Sequence, residues 1–188
     1  MSAANIQILE LLRRYPRYPQ MLEEVRRLWQ VNALIHGDIK WDNCLYTANA
    51  DRAAGAVMIV DWELADFGDG CWDAAAVLAA YVGQWALSLP ADGRTAPLDL
   101  VRRAPFPLSS IWPAARAFWR AYTAGLGFEQ PAAALDRTIC YAAVRTIQLA
   151  YEYMQAQTQV HAGALCLLQL SMNVLAAPKA AASALWGL

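Results

Sequence analysis

Residues 34–45 run Leu-Ile-His-Gly-Asp-Ile-Lys-Trp-Asp-Asn-Cys-Leu: an apolar lead-in, a polar loop and an apolar exit. A second apolar run, Val57-Met58-Ile59-Val60, follows and ends on Asp61-Trp62-Glu63. Two short apolar runs separated by an Asn-, Asp- and Gly-containing connection at 48–55 are expected to pair as a hairpin, with strands near 43–47 and 56–60. Antiparallel neighbours lie about 5 Å apart. Asn43, opening one strand, and Asp61, closing the other, should therefore meet beside Asp38 and Lys40. Asp61 is expected at the end of a buried strand, where a carboxylate needs a cation or hydrogen bonds.

Such a cluster suits one chemistry well. Phosphoryl transfer needs a carboxylate to accept or orient the attacking hydroxyl, and oxygen ligands to hold Mg²⁺ against the nucleotide phosphates. The candidate ligands are hard oxygens, which favours Mg²⁺ over zinc.

The residues His36, Gly37, Asp38 and Asn43, then Asp61, Trp62 and Glu63, form the pattern H-G-D-x-x-x-x-N followed by D-W-E. A third element, Gly68-Asp69-Gly70-Cys71-Trp72-Asp73-Ala74-Ala75, follows in order. Together they resemble the catalytic half of the aminoglycoside phosphotransferase and choline kinase family, relatives of protein kinases. Within the third element the family's proline is replaced by Gly70 and its leucine by Ala74. The resemblance implies Asp38 as catalytic base, Asn43 and Asp61 as Mg²⁺ ligands, and ATP as co-substrate. Lys40 stands where relatives place a phosphate-contacting lysine or a histidine, so it is either a catalytic, ATP-contacting group or an ordinary exposed lysine. His36 is expected to be structural, and Gly37 to supply backbone freedom that a side chain would block. Asp73 is expected to support the loop from the next helix, against a plain N-cap role. Asp69 belongs to the same element as Asp73 or simply stabilises its turn, and Glu63 stands either at the metal or behind it.

The rest of the chain reads as helix. Ile6 to Leu12 and Met21 to Trp29 have apolar residues at helical spacing, broken around Pro16 and Pro19. A helix is expected after Asp73, with Asp73 at its N-cap, then an irregular proline-rich connection over 88–113 holding one short helix near 98–103. Helices near 114–124, 132–157 and 161–176 follow, the first two separated by Gly125-Leu126-Gly127, with His161 inside the last. The expectation is a single mainly α domain with a short catalytic β-hairpin (α+β), like the C-terminal lobe of a protein kinase-like phosphotransferase. Residues 1–33 form leading helices, 34–73 the catalytic loop, hairpin and metal-binding segment, and 74–188 a helical substrate-side subdomain.

Composition narrows the partners. A net charge of −1 gives no electrostatic case for nucleic acid or an anionic membrane. Alanine inflates the 58% hydrophobic content and favours helix. Residues 74–91 and 160–178 lack charges over about the length of a membrane span, yet their Gly, Gln, Ser, Asn and Pro content suits buried helices better. Cys44, Cys71, Cys140 and Cys166 have no C-x-x-C spacing, which argues against zinc and for reduced thiols in a cytoplasm.

Complete relatives carry an N-terminal lobe with a β-sheet, a nucleotide-covering loop and a phosphate-binding lysine. Residues 1–33 contain no lysine and no G-x-G-x-x-G. The expectation is a C-terminal lobe alone, its N-terminal lobe absent and its activity weak without one. It would partner a separate N-terminal lobe, or self-associate through an apolar face exposed around the loop. The acceptor is expected to be a small molecule with a neutral or mildly charged body, since Glu129, Asp136 and Glu152 are the only acids after Ser110. The alternatives are a non-catalytic kinase-like binding module, or half of a split kinase acting on a peptide hydroxyl.

Overall fold

The computed structural model describes residues 1–48, 55–126 and 131–188. Most of the connection expected at 48–55, and Gly127 of the expected glycine separator, lie outside the described residues. Two helices lead, α1 (Ala3–Arg14) and α2 (Arg17–Arg27). The Ser2 hydroxyl caps α1 by accepting the Asn5 N–H at 3.1 Å. Pro19 sits in the first turn of α2, where its missing N–H costs nothing, so the break falls at Tyr15 and Pro16.

Four short strands follow: β1 (Ala33–Ile35), β2 (Cys44–Thr47), β3 (Ala56–Ile59) and β4 (Asp66–Gly68). The expected hairpin is β2–β3, with Cys44 opposite Ile59 and Thr47 opposite Ala56. A second antiparallel pair, β1–β4, sets Leu34 opposite Phe67. This pair was not expected, because each strand has only three residues and neither shows a period-2 pattern.

The remaining elements are helical: α3 (Gly70–Ser88), α4 (Pro97–Arg102), α5 (Trp112–Leu126), α6 (Pro131–Tyr153), α7 (Ala162–Ala176) and α8 (Pro178–Ala181). The expected fold class holds at this level: helices dominate, with small antiparallel sheets. Pro178 ends α7 and opens α8, after which a π-turn over Ala182–Trp186 brings the chain back to the core. There Trp186 is buried, its Nε1–H donating to the Leu78 carbonyl at 2.9 Å. His161 is the residue before α7 rather than part of it.

Alanine has a packing role beyond helix propensity. α3 packs against α6 and α7, and Ala75, Ala79, Ala142 and Ala143 are buried in the joint core with Leu78, Val82, Ile139 and Tyr141. Side chains this small allow close backbone approach. α1 closes a second cluster, placing Ile8 against Trp85, Met154 and Leu167. The two uncharged stretches are therefore core helices, and no helix among the described residues is long and apolar enough to cross a membrane.

The expected burial of the second hairpin strand is overturned. β3 is exposed along its whole length, and Asp61 beyond it is exposed as well. Its sheet partner is β2, and none of its four residues reaches the core. Val57 is 65% and Phe67 73% exposed, and Leu34, Tyr46, Met58 and Leu64 are exposed beside them. The two strand pairs thus leave several large apolar side chains exposed.

Candidate active site

The loop between β1 and β2 has its own internal bonding. Asn43 is buried, and its Nδ2 donates to the Asp38 carbonyl at 3.0 Å. A short 3₁₀ turn, Trp41–Asn43, delivers Asn43 to the start of β2, and the Val60 N–H donates to its carbonyl at 2.9 Å. That bond ties the loop to the end of β3, one residue before Asp61. His36 is buried as well; its Nδ1 accepts the Asp38 N–H at 3.3 Å, so Nε2 carries the hydrogen donated to the Val60 carbonyl at 2.9 Å. Both ring nitrogens are committed to backbone. Gly37 has φ +82°, and a Cβ there would meet the Leu64 carbonyl oxygen at 2.8 Å. Glycine is required for both reasons.

Helix α3 holds the loop from below. Its N-cap is Asp69 and not Asp73, a correction to the expected boundary: the Asp69 carboxylate accepts the Cys71 N–H at 3.0 Å, and the helix begins at Gly70. Asp73 in the first turn is freed to point at the loop, where it accepts the N–H groups of His36 at 2.6 Å and Gly37 at 3.0 Å. Gly70, where the resembled pattern has proline, donates its N–H to Asn32 Oδ1 at 3.0 Å, a bond proline could not make.

Asp69 does more than stabilise a turn. Fully buried, it accepts the Tyr141 hydroxyl at 2.9 Å and the Gln30 N–H at 3.2 Å, and it ion-pairs with Arg137 Nε at 2.8 Å. This one carboxylate joins the leading arm, α3 and α6. Sequence offers no cue for it, because Arg137 and Tyr141 lie far along the chain.

At the loop's centre Lys40 Nζ lies 2.5 Å from Asp38 Oδ2. That hydrogen bond raises the Lys40 pKa, with Glu152 and Asp61 adding smaller attractions. The ammonium is therefore paired with Asp38, neither idle nor solvated alone. Asp38 is largely buried at 15% side-chain exposure, and its Oδ1 faces Arg145 Nη2 at 3.9 Å. Arg145 is the residue sequence reasoning missed. It comes from the middle of α6, and its only local signal is a charge in an otherwise apolar helical run.

Asp61 is the one non-glycine residue with positive φ among the described residues, at φ 67° and ψ 58°. Nothing among them hydrogen-bonds its exposed carboxylate. No three His, Cys, Asp or Glu side chains among the described residues gather as a metal cage. Mg²⁺ typically takes one or two protein oxygens and completes its shell with water and phosphate, so it does not require such a cage. Asn43 uses its amide nitrogen within the loop, which leaves its Oδ1 available.

A cavity of about 580 Å³ opens beside Lys40 and Trp41. α3 lines it with Ala76, Ala80, Gly83, Gln84 and Ser88, and α6 with Arg145, Gln148, Leu149 and Glu152. Of the late acids, Glu152 lines it, Asp136 lies elsewhere near Lys179, and Glu129 is outside the described residues. No family model matches this chain, and no curated protein matches it either.

Proposed function

We propose that this chain is the catalytic lobe of an ATP-dependent phosphotransferase acting on a hydroxyl group of a small molecule. The observation that carries the reading is Asp38, ion-paired with Lys40 in a loop held by Asp73 and Asn43, whose next residues Ile39, Lys40 and Trp41 line a 580 Å³ cavity. Lys40 occupies Oδ2, so Oδ1 is the oxygen that would receive the acceptor's proton. The acceptor oxygen would form a bond to the γ-phosphorus as the bond from that phosphorus to the β–γ bridging oxygen breaks, ADP leaving. Asn43 and Asp61 would hold Mg²⁺, which when bound with ATP offsets the negative charge on the phosphates. A largely apolar lining with one carboxylate, Glu152, beside Lys40 and Arg145 favours a neutral or mildly charged acceptor.

The exposed apolar face supports a second reading, a kinase-like module that binds a partner, or half of a split kinase completed by another chain or copy. One experiment separates them. Incubate the protein with MgATP and measure ADP release and nucleotide binding, alone and with mixtures of small hydroxyl compounds, beside Asp38→Asn. Magnesium-dependent turnover lost in Asp38→Asn supports the phosphotransferase. Absence of nucleotide binding and turnover in every preparation, including complexes captured through the apolar face, would sink it and leave the binding module.

A further inference from the structure

Arg145 combines burial, reach and an unusual set of partners. Its guanidinium side chain is 7% exposed. Nη2 donates to the Ile39 carbonyl at 3.1 Å, and Nη1 to the Gly37 carbonyl at 3.4 Å and Gln148 Oε1 at 2.7 Å. The guanidinium lies over the Trp72 ring, 5.3 Å from its centroid, while Trp72 Nε1–H donates to the same Gly37 carbonyl at 3.3 Å. Gln148 in turn donates to Glu152 Oε1 at 2.7 Å.

A buried guanidinium ordinarily meets a carboxylate in a close, paired geometry. Here its close acceptors are two backbone carbonyls and one amide, and the nearest carboxylate, Asp38, stands 3.9 Å away. The two carbonyls belong to the residues on either side of Asp38, so the fork fixes the peptide group that enters Asp38 and the one that leaves Ile39. Asp73 grips the N–H side of the loop at His36 and Gly37, whereas Arg145 grips its C=O side at Gly37 and Ile39.

We propose that Arg145 is a positioning residue that fixes the loop carrying Asp38 and supplies a fixed positive charge beside its carboxylate. Its catalytic consequence rests on the phosphotransferase reading above; its hold on the loop does not. Burial lowers the guanidinium's pKa while Glu152, Asp38 and Asp73 oppose that shift, and arginine stays charged regardless. A lysine at this position could reach one carbonyl but not span both.

The test uses Arg145→Gln and Arg145→Lys in the full chain, with Arg145→Ala added for chemical rescue. Amide hydrogen exchange at residues 36–40 is compared with exchange in the middle of α3, and ADP release is measured with MgATP. Expected for both variants is loop exchange at least tenfold faster, with α3 protection unchanged. If wild type turns over, kcat should fall at least tenfold with little change in KM for MgATP. Guanidinium chloride at millimolar concentration should partly restore kcat in Arg145→Ala, whereas ammonium chloride should not. Wild-type loop exchange in a folded Arg145→Gln would overturn the proposal; if that variant does not fold, wild-type loop exchange in Arg145→Lys would do so. An inactive wild type with faster loop exchange in the variants would sink the phosphotransferase and leave Arg145's hold on the loop standing.

Discussion

Asp73 Oδ2 accepts the N–H of His36 at 2.6 Å, and Asp73 Oδ1 accepts that of Gly37 at 3.0 Å. One carboxylate from the first turn of α3 thereby sets the backbone immediately before Asp38. Each hydrogen bond to a charged group contributes about 1.5–3 kcal/mol. Asp73→Ala is expected to lower stability by roughly 2–4 kcal/mol and activity with it. Denaturant unfolding beside MgATP turnover checks this, and Asp73→Ala with unchanged stability would be incompatible with the bonds described.

Asp69 should matter more to folding than Asp73. Removing it leaves Arg137 partly buried without its counter-ion and the Tyr141 hydroxyl without its acceptor. Breaking a buried pair costs about 3–5 kcal/mol, so Asp69→Ala is expected to be the most destabilising of the carboxylate variants discussed. Tyr141→Phe loses one bond to a charged acceptor and should cost about 1.5–3 kcal/mol. Urea titrations of both variants test the ranking.

Asp61 should show the opposite balance. Its left-handed backbone suits glycine, and its exposed side chain makes no hydrogen bond among the described residues. Asp61→Gly is therefore expected to keep stability or gain about 1 kcal/mol, while losing phosphoryl transfer. Full activity in Asp61→Gly would remove the metal role assigned to this residue.

Stability should decline at alkaline pH. Burial, reinforced by Asp136, pushes the Cys140 thiol from 9.0 up to about 11. The unfolded chain therefore gives up this proton at lower pH than the folded chain does. The corresponding stability is complete below pH 9 and lost as pH rises to about 11. Cys71 and Cys166 shift the same way through burial. Burial also raises Tyr141 and Tyr122, which extends the decline above pH 10. Thermal unfolding from pH 8 to 11 should show the fall, and Cys140→Ala should reduce its slope between pH 9 and 11.

The sequence by itself determined the local parts of this protein. The helix periodicity, the hairpin of β2 and β3 and the Asp38–Asn43 loop follow from residues a few positions apart. The need for glycine at 37 is partly of this kind, since its positive φ is a property of one backbone position. Tertiary structure decided whatever depends on a partner far along the chain. Whether Asp69 or Asp73 capped α3 turned on Tyr141 and Arg137, which draw Asp69 inward and leave Asp73 for the loop. Whether β3 was buried turned on what packs over it, which no periodicity within four residues can reveal. Arg145 meets the loop across more than a hundred residues, because close packing of α3 on α6 brings a mid-helix guanidinium beneath Gly37 and Ile39. Local hydrogen-bonding geometry is written in neighbouring residues, whereas burial and long-range ion placement are properties of the assembled core.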